Sequence, residues 1–196
     1  MDHDHRTIRI HGRGGQGVVT AAELLAVAAF HDGLYSLAFP SFGSERIGAP
    51  VVAYCRLSTS PIRTHAPIES PDVLIIQDAT LLNTGDILSG FPADGYCFIN
   101  TLRSSAEFLE DPRLPILPAG HLVTLPATEI ALNHIGRAVP NVPLLAAYAA
   151  ICGDISVSAI ETAIQDHFPP AIAEKNCDAV KAGAAAVQNG TVQYAR

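Results

Sequence analysis

The chain has 196 residues, a length that fits one α/β domain or one domain with a helical extension. Apolar residues make up 48% and charged residues 16%, the formal net charge is −7, and Lys175 and Lys181 are the only lysines. This balance excludes a nucleic-acid binder or a ligand of anionic membranes, which need a dense basic surface. The apolar surplus points instead to surface buried against partners.

The start, Met1-Asp2-His3-Asp4-His5-Arg6, is polar and lacks the apolar segment of a secretion signal. No apolar run reaches the roughly 20 residues needed to cross a bilayer, so the cytoplasm is the expected location. Thr7 to His11 alternates apolar and polar residues and predicts a first strand. Gly12 to Gly17 is a glycine-rich turn. Val18 to Phe30 is apolar on almost every face and predicts a helix covered on both sides, closed at Gly33. Leu34 to Phe39 predicts a second strand, Pro40 to Pro50 a loop, and Val51 to Leu57 a third strand. Val73-Leu74-Ile75-Ile76 is the fully apolar run of a strand buried on both faces.

A short helix over Leu81 to Leu88, a strand over Gly95 to Ile99 and another over Leu122 to Leu125 follow. Arg103 to Pro118, with several prolines, reads as a connection near the sheet edge. Thr128 to Ile135 and Leu144 to Ile151 predict helices. Ser158-Ala159-Ile160-Glu161 has the spacing of a capping box and predicts a helix start, with that helix ending near Phe168-Pro169-Pro170. Ala171 to Gln188 predicts a final helix closed by Asn189-Gly190. The pattern predicts an α/β fold: a mostly parallel, Rossmann-like sheet flanked by helices, with a helical C-terminal part.

The chemistry-bearing residues are sparse. Cys55, Cys97, Cys152 and Cys177 are scattered without a C-x-x-C pair, so they read as packing thiols, and neither a cluster nor a metal is expected on this chain alone. No G-x-S-x-G elbow, H-E-x-x-H motif or Cys/His set is present, so no catalytic residue is expected. His11 reads as a strand-end residue, and Asp72 and Asp78 as cap or turn residues.

The sharpest signal is Gly12-Arg13-Gly14-Gly15-Gln16-Gly17, set between a strand and a helix. Free N–H groups at a helix start, reinforced by the helix dipole, favour an anion, and Arg13 adds a mobile positive charge. The segment fits the dinucleotide fingerprint G-x-G-x-x-G, which keeps a free-standing NAD(P)- or flavin-binding oxidoreductase as an alternative. Against it, Phe39-Pro40 stands where a ribose-binding Asp or Glu belongs. No Gly-Lys-Ser/Thr follows, so a Walker A loop is excluded. The second signal is the Phe39 to Pro50 loop, where Ser41, Ser44, Glu45 and Arg46 supply polar and charged groups beside the first turn.

Taken together, His11-Gly-Arg-Gly-Gly-Gln-Gly-Val-Val-Thr-Ala-Ala-Glu-Leu-Leu25 and Phe39-Pro-Ser-Phe-Gly-Ser-Glu-Arg-Ile-Gly-Ala-Pro50 resemble the gamma subunit of the pyruvate and 2-oxoacid:ferredoxin oxidoreductases. The resemblance continues through Pro71-Asp72, Asp78, Val139-Pro-Asn141 and His167 to Asn176, nearly the whole chain. One position departs: Ile47 stands where the family usually carries a second Arg, which removes a positive charge from the loop.

The resemblance implies that residues 1–196 form a single gamma-type domain in a complex that oxidatively decarboxylates a 2-oxoacid to acyl-CoA and CO2. The oxoacid is pyruvate by default, with an aromatic one such as phenylglyoxylate open. Thiamine diphosphate with Mg would sit in the alpha and beta subunits, and [4Fe-4S] clusters in beta and a ferredoxin-like delta subunit. Ferredoxin would accept the electrons, or an FAD- and NAD-linked subunit in its place. This chain would carry no cofactor alone and would help form the coenzyme A side of the site. Gly12, Arg13, Gly14, Gly15, Gln16 and Gly17 are the implied anion cradle, with Ser41, Gly43, Glu45 and Arg46 beside it. Asn141 is a further polar contact.

Overall fold

The structure is a computed structural model that describes residues 5–41, 47–83, 86–109, 111 and 114–188. Six strands form one sheet among these residues: β1 (His5–Arg13), β2 (Tyr35–Pro40), β3 (Pro50–Ser58), β4 (Val73–Ile76), β5 (Tyr96–Asn100) and β6 (Leu122–Leu125), in the order β2-β3-β1-β4-β5-β6. The pairings from β1 through β4 and β5 to β6 are parallel. Those of β3 with β1 and with β2 are antiparallel. The expected mostly parallel α/β sheet is therefore present, with an antiparallel wing on one side.

Side-chain alternation along the central strands divides the core. Val73 and Ile75 face one side with Ile8, Ile10, Phe98 and Val123, and meet the main helices α1 (Val18–His31), α4 (Asn141–Cys152), α5 (Val157–His167) and α6 (Pro170–Gln188). Leu74 and Ile76 face the other side with Cys97, Ile99 and Leu122. They are covered by a 3-10 turn (Ala79–Asn83), the short α2 (Ser105–Leu109) and loops that contribute Phe91 and Leu117. All four β4 side chains are buried, as its unbroken apolar run predicts. Cys55, Cys97 and Cys177 are buried thiols, in keeping with the packing role read from their scatter.

α4 is apolar all round because it lies between the sheet and α6, which packs with α3 (Ala127–His134), α4 and α5. The α4–α6 approach needs Gly183: a Cβ there would lie 2.7 Å from the Pro143 carbonyl oxygen. Phe98 meets Tyr148 edge-on, with ring centroids 6.0 Å apart. The Tyr148 hydroxyl donates to Asp154 at 2.8 Å, and Arg6 clamps the same carboxylate through two bonds of 2.9 Å.

Two local expectations need correcting. The α5 cap is Ser156, not Ser158: its hydroxyl oxygen accepts from the Ala159 N–H at 3.1 Å. The Asp32 carboxylate holds Ser156 in place by accepting from its N–H and hydroxyl, a contact made across 124 positions. The carboxylate half of a capping box occurs at Ser104-x-x-Glu107, where the Ser104 N–H donates to Glu107 at 2.8 Å at the start of α2. The expected helix over 81–88 is the shorter 3-10 turn ending at Asn83. The expected closure at Asn189-Gly190 lies outside the described residues.

Candidate functional site

The C-terminal edge of the parallel strands brings together the glycine turn, Asp78 and Asn141. β1 runs into the glycine turn, and α1 opens directly after it. Gly12 has no space for a side chain, since a Cβ would lie 2.6 Å from Val18 Cγ2 and 3.0 Å from Gln77 Oε1. Gly17 adopts φ 72°, in the left-handed region, and a Cβ there would lie 2.6 Å from Asn141 Nδ2. Asn141 is buried; it donates to the Gly17 carbonyl at 3.2 Å and accepts from the Val142 N–H at 2.8 Å. It therefore braces the turn from α4, and both of its amide atoms are engaged within the protein.

Much of the turn is also hydrogen-bonded internally. The Arg13 N–H donates to Gln16 Oε1 at 2.8 Å, the Gln16 N–H to the Arg13 carbonyl at 3.0 Å, and the Gly14 N–H to the Ala49 carbonyl at 2.9 Å. The Gly48 N–H returns to the Gly14 carbonyl at 3.1 Å, so the turn and the end of the Pro40–Pro50 loop are stitched together. The first bond of α1 runs from Ala21 to Gly17 at 2.9 Å. The N–H groups open to an anion are accordingly those of Gly15, Gly17 and the first turn of α1.

Arg13 is tethered, which corrects the expectation of a mobile charge. Its guanidinium donates to Asp78 at 2.8 Å, to the Thr80 hydroxyl at 2.8 Å and to the Gly48 carbonyl at 3.1 Å. Burial works to raise the Asp78 pKa, but hydrogen bonds from the Thr80 hydroxyl and N–H, together with Arg13, outweigh it and hold the carboxyl below its ordinary 3.8. Asp78 is thus the turn residue that the sequence predicts and also the anchor of Arg13. Asp72 likewise serves the strand ends, accepting from the Thr7 N–H at 2.7 Å.

A cavity of about 740 Å³ opens beside the turn. Its floor is Gly15, Gly17 and the first residues of α1. Its far wall comes from the α3–α4 connection and the start of α6, including Arg137, Phe168, Ile172 and Lys175. Of the implied site residues, Arg13, Gly14, Gly15, Gly17 and Asn141 line it. Gly12 and Gln16 support it from behind. Ser41 is exposed and continues the β2–β3 pairing, donating from its N–H to the Val52 carbonyl at 2.8 Å. Gly43, Glu45 and Arg46 lie outside the described residues. Ile47 stands at the rim, 98% exposed and bridged to Gly14.

Sequence reasoning missed three residues. Arg137 and Lys175 reach the cavity from segments more than 100 positions from the turn. No linear signal marks them, since the 171, 172, 175, 176 face of α6 becomes a cavity wall only in the fold. Gln77 is fully buried against Gly12, and among the described residues neither of its side-chain amide atoms has a partner. His11 is buried as well. Desolvation first and the charge of Arg9 second depress its pKa to about 3, so it is a neutral packing residue at physiological pH.

The strand order removes the structural basis of a dinucleotide site. In dinucleotide-binding folds the strand after the first helix lies parallel and adjacent to the first strand and offers its carboxylate there. Here β3 occupies that place, antiparallel, and β2 is displaced to the edge, ending at Pro40. What the edge offers is a walled cavity next to a helix start.

The comparisons agree with this architecture. The family model for pyruvate ferredoxin/flavodoxin oxidoreductase matches residues 7–186. Pyruvate synthase subunit PorC of Methanosarcina barkeri is 46% identical over 160 residues, covering 82% of this chain and 85% of that protein. The pyruvate/ketoisovalerate oxidoreductases common subunit gamma of Pyrococcus abyssi is 45% identical over 174 residues, covering 89% and 92%. The crystal structure of pyruvate oxidoreductase subunit PORC from Thermotoga maritima superposes with a TM-score of 0.80 at 35% identity, covering 92% of this chain and 96% of that one. The chain belongs to the pyruvate ferredoxin/flavodoxin oxidoreductase family, as a gamma-type subunit of an oxidoreductase complex.

Proposed function

We propose that this chain is the gamma subunit of a cytoplasmic, thiamine diphosphate- and iron–sulfur-dependent complex that converts pyruvate and coenzyme A to acetyl-CoA and CO2, passing the two electrons released to ferredoxin, and that its cavity forms part of the coenzyme A side of the site. The observation that carries this reading is the cavity beside Gly15 and Gly17, which combines a helix start, cations and an apolar wall. Coenzyme A has the matching parts, a phosphate-rich end and a long, weakly polar arm.

The side chains of the described residues do not offer the thiolate set that an iron–sulfur cluster needs. Among the described residues no three His, Cys, Asp or Glu side chains converge. Burial pushes Cys55, Cys97 and Cys152 up to about 12, with Asp154 adding to the effect on Cys152, so these thiols stay protonated where a cluster needs thiolates. Thiamine diphosphate, which supplies the carbanion chemistry of decarboxylation, and the clusters, which carry the electrons, belong on this reading to alpha, beta and ferredoxin-like delta subunits. Residues 1–196 act as one domain packed on those partners. Exposed Phe30, Leu102 and Ile116 supply apolar contact surface.

Pyruvate is favoured because relatives at 45–46% identity carry pyruvate in their names. One of them is named as common to pyruvate and ketoisovalerate oxidoreductases, which supports a gamma subunit that does not select the oxoacid. Assay of the native complex tests this directly. Ferredoxin reduction that needs both pyruvate and coenzyme A is expected. Turnover of phenylglyoxylate with NAD, and none of pyruvate, would assign the aromatic oxoacid and a flavin-linked acceptor instead.

A further inference from the structure

The charge around the cavity does not match the rest of the molecule. The chain carries 12 Lys and Arg against 19 Asp and Glu. Yet the described residues that line the cavity include Arg13, Arg137 and Lys175 and no carboxylate. Arg13 is engaged by Asp78, Thr80 and Gly48, with its charge balanced by the Asp78 carboxylate. Arg137 and Lys175 differ. Among the described residues no hydrogen bond or ion pair ties either side chain, and both residues are exposed. Among those residues neither cation is tied to a carboxylate, so both remain available to an anion in the cavity.

The surroundings specify what sort of anion. Lys175 and Asn176 follow Ala171 and Ile172 by one helical turn on α6, so this face of α6 presents a cation beside an apolar step. Arg137 sits in the α3–α4 connection, between Ile135 and Val139, both of which line the cavity. Across the cavity, Gly15, Gly17 and the opening of α1 offer N–H groups, while Val18, Val19 and exposed Ile47 are apolar. The arrangement fits a ligand with several negative charges at one end and a long apolar arm. Since the turn has internal partners for the N–H groups of Arg13, Gly14 and Gln16, it cannot neutralise such a ligand alone.

We propose that Arg137 and Lys175 hold the phosphate groups of coenzyme A, while the glycine turn and the first turn of α1 close the site opposite them. This assignment rests on the reading of the cavity as the coenzyme A side of the complex. It moves the anion-binding charge from the glycine motif to two residues outside it and leaves Arg13 as a positioning residue.

The test uses the intact complex purified with wild-type, Arg137→Ala/Lys175→Ala, Arg137→Lys/Lys175→Arg or Val19→Trp gamma chains, the last of which fills the cavity. The double alanine variant should assemble normally and keep its KM for the oxoacid, while its KM for coenzyme A rises about tenfold or more, the scale of a lost charge-assisted contact. The Lys/Arg exchange should restore most of the loss. Phosphate-free pantetheine, used as acceptor, should show no difference between wild type and the double alanine variant. An unchanged KM for coenzyme A in the double alanine variant, with a raised one in Val19→Trp, overturns the assignment of the two cations and leaves the cavity reading intact. Unchanged values in both overturn the cavity reading and the assignment with it.

Discussion

At the scale of single residues, the turn depends on contacts that sequence spacing leaves out. Gly17 is required twice, by its left-handed φ and by Asn141 against its missing side chain. A Gly17→Ala variant should lose about 1–3 kcal/mol of stability, from the left-handed backbone and the forced shift of Asn141, read by urea unfolding. His11 makes a pH prediction with a definite sign. Its folded pKa of about 3 lies below the ordinary 6.5, so the unfolded chain binds the extra proton between those values. Stability should therefore fall as pH drops through that window, by at most about 1.4 kcal/mol per pH unit from this group. His11→Gln should flatten that part of the profile. Asp78 behaves in the same direction at lower pH. Its carboxylate stabilises the fold above the ordinary value of 3.8, and the contribution is lost as pH falls through the lower folded value. The melting-temperature gap between wild type and Asp78→Asn should accordingly narrow below about pH 4.

At the scale of elements, the strands and long helices were legible because their apolar periodicity is strong. β4 and β6 occupy the residues predicted, and α1 extends one residue past its predicted end. The failures lie where a distant partner decides. Ser156 caps α5 because Asp32 reaches it across 124 positions, and no local spacing reveals that. Ser156→Ala should cost about 1 kcal/mol, and Ser158→Ala less than about 0.5 kcal/mol. Equal losses in thermal unfolding would restore the local reading. Gly183 gives an inverted expectation. Gly to Ala within a helix normally stabilises by about 1 kcal/mol. Here the added methyl meets the Pro143 backbone, so Gly183→Ala should destabilise. Strand order was illegible for a similar reason: nothing in Leu34 to Phe39 says that β3 will insert between it and β1.

For the whole molecule, the two paired motifs pointed to the family by their sequence, and the fold joins the first to the end of the second, where the Gly48 N–H meets the Gly14 carbonyl. The glycine turn was legible from its spacing, and Asn141 from the resemblance. Arg137 and Lys175 were not, because a cavity wall built from the α3–α4 connection and α6 has no linear signature. On the proposed function this chain works as one subunit of a cofactor-bearing complex, and isolation of the tagged chain from its own host is the decisive measurement. Brown, iron–sulfur-containing partners that carry thiamine diphosphate are expected, together with oxoacid- and coenzyme A-dependent ferredoxin reduction. A lone, colourless chain that binds NAD(P) in stoichiometric amounts would contradict the proposed function.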